Sequence, residues 1–153
     1  MHPIIRSTLL GAFLGSLAVA GVFGLLVLTG LMSKAPFVGA WQELFGGGWV
    51  TATVFGGLAF LAIGTAWGAP FTLVPRPTIL AAMIYALLPT LWALAGWPSL
   101  RGRPTFAGGD SAAIMTTLMI NVGIWGTILG AYAHRHTTAE GKLEAKIRKT
   151  GRT

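Results

Sequence analysis

The sequence predicts an all-α integral membrane protein: a four-helix bundle with a short interfacial helix and a basic C-terminal tail. Three observations carry this. The chain has 153 residues, of which 54% are hydrophobic and 10% charged, with a mean hydropathy of +0.70. A soluble domain carries about 25% charged residues, and eleven basic and four acidic side chains are too few to cover a globule of this size. Second, four apolar runs, 8–32, 49–67, 78–96 and 111–132, approach or exceed the roughly 20 residues needed to span a bilayer as helix, and none has Asp, Glu, Lys, Arg or His in its interior. Third, the charged residues gather between and beyond those runs. Lipid offers backbone groups no partner, so each run is expected to be helical. The runs do not alternate as barrel strands do.

The first run follows Arg6, and Ala18-Val19-Ala20 resembles a signal-peptide cleavage site. The run continues through Leu25, Leu26 and Leu28 to Met32, so a retained span is expected. Between runs one and two, Phe37, Trp41, Leu44 and Phe45 fall at helical spacing, with Gln42 and Glu43 off that face. Ser33 and Pro36 can start a short helix there, and Gly46-Gly47-Gly48 ends it. Such a helix lies in the interface. Phe37, Trp41 and Phe45 are its candidate contacts with lipid or a neighbouring subunit; anchoring the bundle is the competing role.

Trp49 and Trp67 bracket the second run and Trp97 closes the third, at headgroup level. Pro70, Pro75 and Pro77 predict a stiff, extended connector over 70–77. Pro89 should kink the third helix. Asp110-Ser111 can cap the fourth. Residues 1–136 form the transmembrane domain in this reading, and 137–153 a basic tail. Thr137-x-x-Glu140 resembles a capping box, and Glu144 and Arg148 can pair one turn apart. The tail is expected to attract anionic headgroups. Few aromatics or glycines interleave its charges, so nucleic acid is not an expected partner despite a pI near 11.0.

With the N-terminus inside, Arg6, Arg76, Arg135, Lys142, Lys146, Arg148, Lys149 and Arg152 are cytoplasmic, and Lys34, Arg101 and Arg103 are outside. Positive charge collects on the cytoplasmic side. The expected location is therefore a bacterial inner membrane, with both termini in the cytoplasm.

Two stretches recur. Arg6-Ser7-Thr8-Leu9-Leu10-Gly11-Ala12 matches Arg76-Pro77-Thr78-Ile79-Leu80-Ala81-Ala82. Gly64-Thr65-Ala66-Trp67-Gly68-Ala69 matches Gly126-Thr127-Ile128-Leu129-Gly130-Ala131. Each pair opens or closes corresponding helices of two hairpins, which suggests duplication about an axis along the membrane normal. Chance is the alternative in a chain so rich in Ala, Leu and Gly.

Helices in lipid associate through close packing and polar contacts. Gly11, Gly15, Gly64, Gly68, Gly126 and Gly130 are the candidate packing residues, beside Gly24, Gly57 and Gly123. Asn121 is the most polar side chain within a span. A hydrogen bond to a neighbouring helix is its expected role, and a ligand contact in a cavity the sharper one.

Arg6-x-x-Leu9-x-Gly11-x-x-x-Gly15 opening the first helix, with Gly123-x-x-Gly126-x-x-x-Gly130-Ala131-Tyr132 closing the fourth, resembles a class of small uncharacterised bacterial four-helix membrane proteins. That class often has a histidine early in its last helix; here Thr116 to Asn121 contains none. The resemblance implies a four-helix bundle and supplies no activity.

Catalysis needs a positioned acid, base, nucleophile or metal. There is no cysteine, Glu43 and Asp110 are the only acids before the tail, and His2, His134 and His136 lie near the termini. No histidine lies at depth to ligate haem or a chlorophyll magnesium, and no ionisable group marks a proton or ion path. No metal is expected at His134-Arg135-His136, which reads as a solvated helix end. The expectation is a non-enzymatic accessory or structural subunit of a larger bacterial membrane complex, respiratory or photosynthetic, without a cofactor of its own. Its expected partners are membrane lipids and other integral membrane subunits. A small homo-oligomeric transporter or channel is the alternative.

Overall fold

The computed structural model describes residues 3–75 and 77–135. All regular structure among them is helical: α1 (Pro3–Leu28), α2 (Pro36–Phe45), α3 (Trp49–Gly68), α4 (Ile79–Leu100) and α5 (Ser111–Arg135). The four helices α1, α3, α4 and α5 are each long and apolar enough to cross a membrane. The tail expected over 137–153 lies outside the described residues.

Local chemistry moves several boundaries. α1 starts at Pro3, ahead of the expected Thr8, because proline is pre-shaped for a first helical turn. It stops at Leu28, short of Met32. Gly30 adopts a left-handed φ of 74°, and the Met32 N–H turns back to the Leu26 carbonyl at 3.0 Å. The connector expected to be extended instead begins with a 3-10 turn, Pro70–Leu73. Pro70 opens that turn without losing a hydrogen bond, and Phe71 is buried inside the fold.

α4 runs past Gly96 to Leu100. Gly96 stays right-handed at φ −63° and ψ −58°, and the Trp92 ring lies where a Cβ would stand. Below Pro89, which cannot donate to the preceding turn, Ala86 is a turn residue, and Trp92–Gly96 widens into π-helix. α5 carries a second π segment, Met119–Gly126. Asp110 caps α5, its Oδ1 accepting from the Ala112 and Ala113 amides at 2.9 and 3.2 Å.

The helices lie side by side in the order α3, α1, α5, α4. α1 crosses α5 at Gly11 and Gly15. A Cβ on Gly11 would stand 2.7 Å from Tyr132 Cβ, and one on Gly15 would stand 2.9 Å from the Trp125 ring. α1 meets α3 where Gly64 and Gly68 face Ser16 and Ala12. α4 meets α5 at Gly126 and Gly130, whose backbones touch Met83, Ile79 and Ala82. Gly24 and Gly123 face open space, having no atom within 4 Å of a would-be Cβ.

α2 folds back along α3. There the close approach belongs to Gly56, 2.6 Å from the Phe37 carbonyl, rather than to Gly57, which only grazes the Phe37 ring. A twofold axis relating the recurring stretches would make α3–α4 the equivalent of α1–α5. The two pairs are built differently: α1 and α5 are in intimate contact, whereas α3 and α4 meet sparingly and leave a groove between them.

Candidate functional site

The groove holds about 150 Å³. Phe60, Ile63, Gly64 and Trp67 of α3 form one wall; Pro89, Trp92 and Ala93 of α4 form the other. Its floor is Ser16 and Val19 of α1 with Asn121 and Trp125 of α5. Both π segments border it, through Trp92 and Ala93 on one side and Asn121 and Trp125 on the other. Near the helix ends that also carry the N-terminus, the Tyr85 hydroxyl donates to the Trp67 carbonyl, and Phe71 packs on the Tyr85 ring with centroids 5.3 Å apart. These contacts tie α3 to α4 and close one mouth of the groove.

The polar groups of the floor divide into committed and uncommitted. Ser16 Oγ donates to the Ala12 carbonyl at 2.9 Å and accepts from Trp125 Nε1 at 3.2 Å. Trp125 Nε1 also reaches the Ala12 carbonyl at 3.2 Å. This triangle stitches α1 to α5, and Ser7 Oγ adds a bond to the Tyr132 carbonyl at 2.8 Å. The expected interhelical hydrogen bond from Asn121 is not formed: among the described residues its carboxamide has no partner. The physical reason is its place on the widened turn, which turns it toward the groove and away from a facing backbone. No fully buried side-chain nitrogen or oxygen is left unpaired among the described residues, so the Asn121 amide is reachable by whatever fills the groove. Leaving such a group unpaired in apolar surroundings costs roughly 1–3 kcal/mol.

The three aromatics singled out on α2 differ in burial, although the Trp41 and Phe45 rings touch, with centroids 4.5 Å apart. Phe37 stacks toward Phe60 of α3 at 5.4 Å between centroids, and Trp41 lies on Phe55 at 5.6 Å. Both are half-buried within the chain, while Phe45 is 68% exposed. The buried face of α2 is Val38 and Gly39, which the aromatic spacing did not indicate. Their small size hid them, because the aromatic spacing picks out the large neighbours Phe37 and Trp41, which pack against the same cluster.

A polar clamp also escaped the sequence reading. Glu43 of α2 accepts from Arg101 at 2.8 Å and Arg103 at 2.6 Å, both in the segment after α4. Arg101 also lies over the Trp97 ring at 5.5 Å. One acid in the segment between the first two spans and two basic residues in the segment between the last two were the signal available. Beyond the clamp, residues 106–109 all have left-handed φ, including the non-glycine Phe106 and Ala107 at 50° and 52°. Ala107 and Gly108 line a second, open cleft of about 460 Å³ with Arg103 and Thr117.

At the opposite end His134 Nδ1 lies 3.2 Å from the Pro77 carbonyl. His2 and His136 are outside the described residues. Among the described residues no three acids or histidines gather as metal ligands. No family model matches the chain, nor does any curated protein or solved structure.

Proposed function

We propose that this protein is a multi-pass, non-catalytic accessory subunit of a larger assembly in a bacterial inner membrane, with both termini cytoplasmic and the four apolar helices forming a transmembrane bundle. One observation carries the reading: among the described residues the buried polar side chains, Ser7, Thr8, Ser16 and Thr90, and the half-buried Asn121 are all neutral, and the Asp, Glu, Lys, Arg and His side chains sit at helix ends and connections. Such an interior can hold a shape and a neutral ligand, and it offers no acid or base for chemistry. The large apolar side chains turned outward, among them Phe45 at 68% and Trp49 at 61% exposure, supply surface for lipid and neighbouring subunits. Aromatic anchors carry much of the energy of such contacts.

The test is extraction from the native membrane in mild detergent followed by native mass spectrometry. Co-purification with other integral membrane chains is expected, and Phe45→Ala should reduce it while leaving the melting temperature of the isolated chain unchanged. A discrete homo-oligomer without other chains would overturn this reading in favour of a small transporter or channel.

A further inference from the structure

We propose that the α3–α4 groove is a binding site for the ring of a membrane-soluble quinone, a neutral carbonyl-bearing ring on an apolar tail. The proposal goes beyond the accessory-subunit reading and does not depend on it. The groove's volume, about 150 Å³, matches that of a cavity able to hold a single six-membered ring. Its walls are the indoles of Trp67 and Trp92 and the ring of Phe60, surfaces on which a flat ring stacks. Ligand pockets of this kind are mostly apolar with a few placed polar groups.

The placed group is Asn121. Ser16 and Trp125 satisfy each other, so the carboxamide is the floor's uncommitted polar side chain. Its NH₂ can donate to a ring carbonyl, and its oxygen can accept from the hydroxyl that a reduced ring carries. The groove lining holds no charged side chain, which selects a neutral ligand. Asn121 lies near the middle of α5, ten residues from its start and fourteen from its end, so the ligand must come from the apolar layer rather than from water. An acyl chain would fill the groove without answering the amide, and a quinone ring does both.

The experiment uses the full chain in lipid nanodiscs, titrated with a decyl-substituted benzoquinone while tryptophan emission is followed. Saturable quenching is expected, with Asn121→Leu raising the midpoint at least tenfold and Ala93→Phe, which fills the groove, abolishing saturation. Thr116→Leu, on the exposed side of α5, should leave the midpoint unchanged. Infrared difference spectra of a carbonyl-labelled quinone give a second readout that needs no variant: a carbonyl band moved to lower frequency by the amide is expected. Quenching that is linear and equal in wild type and Asn121→Leu would mean bulk partition and would overturn the proposal. So would saturable quenching lost in Ala93→Phe but untouched in Asn121→Leu with an unshifted carbonyl band, because the groove would then hold an apolar chain only.

Discussion

Two helix pairs in this molecule meet in opposite ways. At α1–α5, glycine removes the spacer and the backbones close, with Leu129 and Ala12 fully buried between them. The polar atoms there, Ser7, Ser16 and Trp125 Nε1, are each bonded across the contact. At α3–α4 no glycine draws the backbones together: Gly64 makes its close approach to Ser16 of α1, and the groove beside it stays open toward Pro89 and the π turn of α4. Asn121 is left facing the gap. The glycines of α3 make their closest approaches to α1 and α2, and none makes one to α4, so the α3–α4 side stays open.

The largest expected effect is at the closed pair. Leu129→Ala should cost about 2–5 kcal/mol, since a fully buried leucine leaves a cavity that rigid helices cannot collapse. Gly11→Leu should cost about 1–3 kcal/mol by overpacking against Tyr132 and Leu129. Thermal melts of the purified chain in detergent check both, and melting temperatures close to wild type would show that α1–α5 is less intimate than described. Tyr85→Phe removes the bond that ties α4 to α3 and should cost about 1 kcal/mol. Hydrogen exchange should quicken around Trp67; unchanged protection there would mean that the rings alone hold the mouth shut. Glu43→Gln weakens a partly exposed clamp and should cost no more than about 1 kcal/mol. The wild-type melting temperature should fall slightly with added salt, and the variant's should not. Smallest of all, Ala93→Leu on the open wall should stay within about 0.5 kcal/mol of wild type by chemical denaturation. A loss comparable to Leu129→Ala would mean that the groove is as closed as α1–α5.

The helical character and the four apolar lengths were legible because both follow from composition along one dimension. Cap chemistry was readable too, since Asp110 and the α5 amides are neighbours in sequence. What stayed hidden depends on pairing. Nothing within 8–32 says that Gly15 should meet Trp125 while Gly24 meets nothing. The spacing of small residues points to Gly57, whereas the close approach to α2 belongs to Gly56. Asn121 read as a hydrogen-bonding residue because a regular helix would aim it at a neighbour, and local sequence gives no warning of a π turn. The Glu43 clamp joins residues 58 and 60 positions apart, a separation at which charge alone cannot choose among partners.

The Ser16–Trp125 bond also sets a clock. Its partners are 109 residues apart, so at about 5–20 residues per second α1 is synthesised roughly 5–20 s before the helix that completes its polar face. For the later part of that interval, once Gly64 and Gly68 have been made, α3 is available to it, with those glycines presented to Ser16 and Ala12. The α1–α3 hairpin is thus the chain's first assembled unit. α5 then enters an interface whose other half was made roughly 5–20 s earlier.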